Sequence, residues 1–237
     1  MKNTFWTQRR FIGIALILGC VLFLSGTPLP VTDSKGTFIY GLPPQQWLGV
    51  VFTHPTLWWW ASVLFLSGTL VTLLGFAQLT TLLRGAGDQA FSYLGPIALV
   101  FGAVLWVIHL AFRLSIDFWA AQVTASTGVL PVFYVPLTQW TDVLFVVYTI
   151  LTFLAAAAYG GALLSTRLLP RWLGWVTIAY SLFFLGLTAA FGNAPPLLHH
   201  LLPIVMGILL LLRRYQVPAG SQRAEGSTLA PTPSAQL

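Results

Sequence analysis

The sequence predicts an all-α polytopic membrane protein, a bundle of six transmembrane helices with both termini in the cytoplasm. The excess of apolar residues, the length of the apolar runs and the distribution of arginines predict this class. Of the 237 residues, 57% are hydrophobic and only 7% are charged, whereas a soluble domain has about 25% charged residues. So few charges cannot cover a water-soluble surface of this size. A soluble globular domain, a disordered chain and a coiled coil are therefore excluded.

Six apolar runs are long enough to be membrane spans, because a helix needs about 20 mainly apolar residues to cross the hydrocarbon core. They lie near residues 10–27, 57–83, 91–114, 141–165, 172–192 and 195–212. Runs such as 12–24 are apolar at every position, whereas a β-barrel strand alternates apolar and polar residues. Helices are therefore expected, since lipid offers no partner for backbone amides and carbonyls.

The positive charges predict the orientation of the spans. Lysine and arginine concentrate in cytoplasmic loops of membrane proteins. With the N-terminus inside, nine of the eleven such residues are cytoplasmic, and Lys35 and Arg113 are the exceptions. Because the charges stand singly or in pairs at helix ends, they indicate contact with lipid headgroups rather than nucleic-acid binding. The nine are Lys2, Arg9, Arg10, Arg84, Arg167, Arg171, Arg213, Arg214 and Arg223.

The segments outside the spans suggest two regions, a transmembrane domain over 1–214 and a disordered cytoplasmic tail over 215–237. The tail is rich in Pro, Ser, Ala and Gly. In the first outer loop, residues 38–51 are rich in aromatic and apolar side chains. We expect this stretch to lie along the membrane surface or to cover the bundle. The third helix is expected to continue to about Ala125, beyond the bilayer.

The fourth span has an unusually small-sided face formed by alanines and glycines. Small residues let helices approach closely, which gains van der Waals contact in lipid. One interpretation is packing inside the bundle. The other is a homo- or hetero-oligomer formed through Ala155, Ala158 and Gly161.

A group of polar residues maps to the outer half of the spans. His109, Arg113 and Asp117 are spaced four residues apart, so they lie along one side of a helix. Asp142 begins the fourth span, and His199 and His200 begin the sixth. Ionisable groups within a membrane usually face the bundle interior or a watery cavity, because exposure to lipid costs about 2.5–3.5 kcal/mol or more each. These six residues are the candidate ligand site.

Several interpretations of this group remain open. Arg113 can bind an anionic group, and the imidazoles of His109, His199 and His200 can ligate a metal ion or a haem. Alternatively, Arg113 snorkels to the interface and pairs with Asp117, and the histidines are interfacial or bonded to the backbone. His199 and His200 point about 100° apart on an α-helix, so at most one is expected to join a given cluster.

A short segment before the fifth span offers one resemblance. Residues 169–175, with the sequence L-P-R-W-L-G-W, resemble a segment found before a hydrophobic helix in uncharacterised bacterial multi-span membrane proteins. The resemblance implies a bacterial inner-membrane protein of unassigned function, and it includes no catalytic residue.

The missing motifs favour a non-enzymatic protein. No lysine lies within a span, which excludes a retinal protein, and the only glutamate, Glu225, lies in the tail, which excludes a helical His-Glu-x-x-His protease. The primary hypothesis is a carrier, sensor or accessory subunit that binds a small polar or anionic ligand at its outer face. The alternatives are a redox protein with haem or metal on the outer histidines, and a structural subunit that packs through the fourth span.

Overall fold

The described part of the chain is helical throughout. The computed structural model describes residues 2–29, 42–192 and 196–212, and it contains no strand in these ranges. The predicted tail, residues 215–237, lies outside them. The helices are α1 (Lys2–Gly26), α2 (Pro44–Thr53), α3 (Pro55–Gly85), α4 (Phe91–Thr127), α5 (Tyr134–Thr166), α6 (Arg171–Phe191) and α7 (Leu201–Leu212), and a 3₁₀ segment (Pro196–His200) directly precedes α7.

Five helices are long and apolar enough to cross a bilayer, which confirms the prediction of a helical membrane protein. They are α1 from Thr7 onward, α3, α4, α5 and α6. The sixth predicted span corresponds to the shorter apolar helix Leu198–Leu212. At about 1.5 Å per residue this helix is about 22 Å long, whereas the hydrocarbon core is about 30 Å thick. A sixth crossing and the orientation of the bundle therefore stay predictions.

Two helices extend further than the apolar runs alone indicate. α4 has 37 residues and ends at Thr127, which confirms that this helix continues past Ala125. α5 begins at Tyr134, seven residues before its predicted start near 141. Pro136 lies in the first turn of this helix. Proline lacks the amide hydrogen that the first turn of a helix leaves unused, so it is compatible with that turn.

The short helix α2 covers one end of the bundle. Its buried Leu48 and Val51 pack in one cluster with Phe112 and Ala121 of α4. Residues 38–51 were expected either to lie along the membrane surface or to cover the bundle. The described part, from Leu42 onward, covers the bundle. Only His54 separates α2 from α3, so the start of α3 lies directly beside this cover.

Glycines stand where the long helices approach most closely. A Cβ atom built on Gly68 of α3 would lie 2.5 Å from the backbone nitrogen of Phe23 and 2.6 Å from the carbonyl oxygen of Gly19, both on α1. Gly174 of α6 meets Gly160 of α5 in the same way, at 2.9 Å from its carbonyl oxygen. Such backbone contact is typical of helix association in lipid. The contact with Gly160 also explains why position 174, within the 169–175 segment, is a glycine.

The small-sided face of the fourth predicted span is used inside the chain. Ala155 is buried, and a Cβ on Gly161 would lie 3.0 Å from the ring of Phe91 on α4. Ala158 is half-buried. These contacts are those expected for packing within the bundle. An oligomer formed through Ala155, Ala158 and Gly161 stays a prediction.

A buried carboxylate fixes the connection between α3 and α4. Asp88 accepts a hydrogen bond from the backbone N–H of Ser92 (2.6 Å) and another from the hydroxyl of Ser165 (2.7 Å). The first bond satisfies a free amide at the start of α4, and the second ties that start to the end of α5.

Candidate functional site

A polar pocket lies beneath α2, between residues 109–117 of α4 and residues 134–142 of α5. Its volume is about 240 Å³. Four of the six predicted site residues line it, namely His109, Arg113, Asp117 and Asp142. The other lining residues are Leu42, Pro44, Trp47, Phe112, Tyr134, Thr138 and Thr141. The pocket thus combines charged groups with aromatic and apolar walls, which is the usual composition of a small-molecule site.

The wall formed by α4 carries two buried, opposite charges. Arg113 is 3% exposed and Asp117 is 2% exposed, and their spacing of four residues places them on adjacent turns. The hydroxyl of Tyr134 donates a hydrogen bond to Oδ1 of Asp117 at 3.0 Å. Helices α2 and α3 cover the side chain of Arg113.

Two tryptophans form that cover over Arg113. The guanidinium carbon of Arg113 lies 3.9 Å from the centre of a Trp58 ring, a cation–π contact. The indole N–H of Trp58 also donates to the carbonyl oxygen of Arg113 at 3.0 Å. Trp47 of α2 packs edge-on against Trp58, with ring centres 4.9 Å apart. Trp58 therefore holds both the side chain and the backbone of Arg113.

His109 presents one ring nitrogen as an acceptor. Its Nδ1 lies 3.2 Å from the carbonyl oxygen of Thr141. A carbonyl only accepts, so Nδ1 carries the hydrogen and a neutral imidazole keeps Nε2 as an acceptor. The Thr141 hydroxyl donates to the carbonyl of Thr138, and the Thr138 hydroxyl to the carbonyl of Tyr134. Those two hydroxyl hydrogens are thus used within α5.

Asp142 stands at the rim of the pocket. Its side chain is exposed, and it forms no hydrogen bond or ion pair with the part of the chain that the structure describes. The carboxylate of Asp142 is therefore available to a bound molecule, whereas that of Asp117 already has Tyr134 as a donor.

His199 and His200 line a different cavity, of about 50 Å³, in the interior of the bundle. They are 6% and 5% exposed, and both belong to the 3₁₀ segment that precedes α7. Neither of them lines the pocket beneath α2. The walls of the interior cavity also include Thr72, Tyr148 and Met206.

An aromatic layer lies between the two cavities. Trp106 stacks on His109 on the side of the pocket, with ring centres 5.2 Å apart. The same indole stacks on Tyr148 at 5.0 Å, and Tyr148 contacts His199 at 5.3 Å. The structure thus divides the six predicted residues into a set of four at the pocket and a pair in the interior.

This division bears on the metal and haem hypotheses, which joined His109 to a histidine of the sixth span. Within the described ranges, no three His, Cys, Asp or Glu side chains are grouped so that they can hold one metal ion. The interior cavity of about 50 Å³ is also far smaller than the roughly 300–1,000 Å³ of cofactor sites. His109 and the two interior histidines thus line separate cavities, and a haem or metal site that joins them stays a prediction.

The sequence analysis missed the residues that enclose the pocket. Trp47, Trp58 and Tyr134 come from three separate segments, and no spacing rule relates them to Arg113. The only available signal was the aromatic richness of residues 38–51.

No family model matches this chain, and neither a curated protein nor a solved structure is similar to it.

Proposed function

We propose that this chain is a non-enzymatic protein of the bacterial inner membrane that binds a small polar ligand in the pocket beneath α2. In this proposal the chain crosses the membrane six times, with both termini in the cytoplasm, so that the pocket opens to the outside. It acts as a carrier, a sensor or an accessory subunit. Five apolar helices and the sorting of positive residues to one side support the membrane part of the proposal.

One observation carries the ligand part of the proposal. Arg113 and Asp117 are buried on adjacent turns of α4, the positive charge of Arg113 acts on the Asp117 carboxyl, and both residues border a cavity of about 240 Å³. A buried ion pair stabilises a fold only weakly, because desolvation offsets the attraction between the charges. Charged side chains at membrane depth usually serve a binding or transport function. The acceptor groups of His109 and Asp142 face the same space.

The test uses a substitution that fills the pocket and leaves Arg113 and Asp117 unchanged. Thr138 lines the pocket and is half-buried, whereas the adjacent Gln139 is exposed and lies outside the lining. We expect Thr138→Trp to occupy the pocket and Gln139→Trp to leave it open. The full chain, purified in detergent, is heated with one of four small probes of similar size, namely ethylammonium, glycine, acetate and acetamide.

We expect at least one probe to raise the melting temperature of the wild-type protein and of Gln139→Trp, and to have no effect on Thr138→Trp. A bound ligand stabilises the folded state by mass action, so the shift grows with probe concentration. The proposal fails if none of the four probes produces a shift, or if Thr138→Trp responds as strongly as the wild type.

A further inference from the structure

We infer that the ligand of this pocket carries a positive charge, as an amine does, and that Asp142 receives it. This inference rests on the proposed function and names the chemical class of the ligand. The sequence alone suggested a small polar or anionic ligand, because Arg113 can bind an anionic group. The surroundings of Arg113 reverse that expectation.

The first argument is the charge of the pocket. Among its lining residues, Arg113 contributes one positive charge, and Asp117 and Asp142 contribute one negative charge each. With His109 neutral, the described walls carry a net charge of −1. The charge of Arg113 is matched by Asp117 one turn away, and its guanidinium also stacks on Trp58. The unmatched charge is that of Asp142, and a cation balances it.

The second argument is the supply of hydrogen-bond acceptors. Nε2 of His109 and the carboxylate of Asp142 accept, whereas the hydroxyl hydrogens of Thr138 and Thr141 are already donated to backbone carbonyls. Tyr134 likewise donates its hydrogen to Asp117. The groups left for a ligand on α5 are therefore acceptors. An ammonium group offers only donors, so it fits them.

The third argument is the aromatic lining. Trp47, Phe112 and Tyr134 border the same space, and aromatic rings attract organic cations through their negative faces. A carboxylate or phosphate gains nothing from these faces. Charge, acceptor supply and aromatic walls thus select the same ligand class.

The experiment uses the four probes of the binding test, which differ mainly in charge. We expect ethylammonium to stabilise the wild-type protein most, acetate and acetamide to have no measurable effect, and glycine to act less strongly than ethylammonium. Asp142→Asn removes the charge at an exposed position that the fold does not depend on. It is expected to weaken the ethylammonium effect at least about tenfold in apparent Kd, whereas Asp142→Glu retains most of it.

The possible outcomes separate this inference from the proposed function. Stabilisation by acetate or acetamide alone, blocked by Thr138→Trp, overturns the cationic assignment and leaves the pocket as a ligand site. An ethylammonium effect that is equal in Asp142→Asn and the wild type overturns the role of Asp142. If no probe stabilises the protein, both proposals fall together.

Discussion

Arg113 and Asp117 show how a pair of charges is kept inside an apolar bundle. Each group has partners besides the other charge: Trp58 lies under the guanidinium at 3.9 Å, and Tyr134 donates to the carboxylate at 3.0 Å. Water is largely excluded there, so an opposite charge and an aromatic face act more strongly than at a protein surface. The same exclusion makes the loss of either partner costly.

We expect Arg113→Met and Asp117→Leu each to reduce the free energy of unfolding by about 3–5 kcal/mol, because each leaves one buried charge without its counter-charge. The double variant should lose clearly less than the sum of the two. Denaturant unfolding of the full chain in detergent measures all three. Arg171→Met, at an exposed position, is the control and should change stability by no more than about 0.5 kcal/mol. Strict additivity would show that the two charges do not interact.

At this scale the sequence predicted which residues are neighbours on one helix, but it did not predict contacts between residues of different helices. The four-residue spacing placed His109, Arg113 and Asp117 on one side of α4, and all three line the pocket. It could not show that Trp106, three residues before His109, would lie between that histidine and the interior pair. Contacts between segments depend on how the helices cross, and local spacing contains no information about the crossing.

At the scale of helices, close backbone contact sets the geometry of the bundle. Gly68 and Gly19 allow α3 and α1 to touch, so the packing of α1 depends on the absence of a side chain at each. The neighbours of Gly68 are backbone atoms, which cannot turn aside as a flexible side chain does. Addition of a single methyl group must therefore separate the two helices.

We expect Gly68→Ala to destabilise the protein by about 1–3 kcal/mol or more, the usual cost of overpacking. Gly186→Ala in α6 is the matched control, because a Cβ there meets nothing within 4 Å. That variant should be neutral or slightly stabilising, since alanine favours helix more than glycine does. The measurement is the thermal melting temperature of both variants in the same detergent. Equal melting temperatures would contradict the proposed backbone contact between α1 and α3.

The sequence was most informative about the long helices, since each needs only a long apolar run. It was less informative about their ends. α5 begins seven residues before its predicted start, with Pro136 in its first turn, and the ten residues of α2 are too few for a clear periodic pattern. Helix ends depend on local hydrogen bonds, such as those of Asp88, that composition does not reveal.

For the whole molecule, the number of crossings decides which side of the membrane each end faces. The terminal apolar helix Leu198–Leu212 is the uncertain element, because it is shorter than the five others. The charge distribution still favours six crossings, since five would place Arg213 and Arg214 outside. The helical membrane class thus follows from composition, whereas the topology depends on a few charged residues.

Cysteine labelling tests this topology. Val132 is 94% exposed between α4 and α5, and Ala86 is exposed between α3 and α4. In a Cys20→Ala background, we expect a membrane-impermeant maleimide to label Val132→Cys in intact cells and Ala86→Cys only after permeabilisation. A fluorescent reporter fused after Arg214 should be cytoplasmic. Labelling of Ala86→Cys in intact cells would reverse the orientation, and a reporter found outside would reduce the crossings to five.

The indole of Trp106 separates the pocket beneath α2 from the interior cavity. The indole ring contacts His109 on one side and Tyr148 on the other. In this rotamer it blocks the direct path from the pocket to His199 and His200. Binding of a solute in the pocket and its entry into the interior cavity are consequently two separate events. If the protein carries a solute through the bundle, the Trp106 side chain must move before the solute passes from the pocket to the inner cavity.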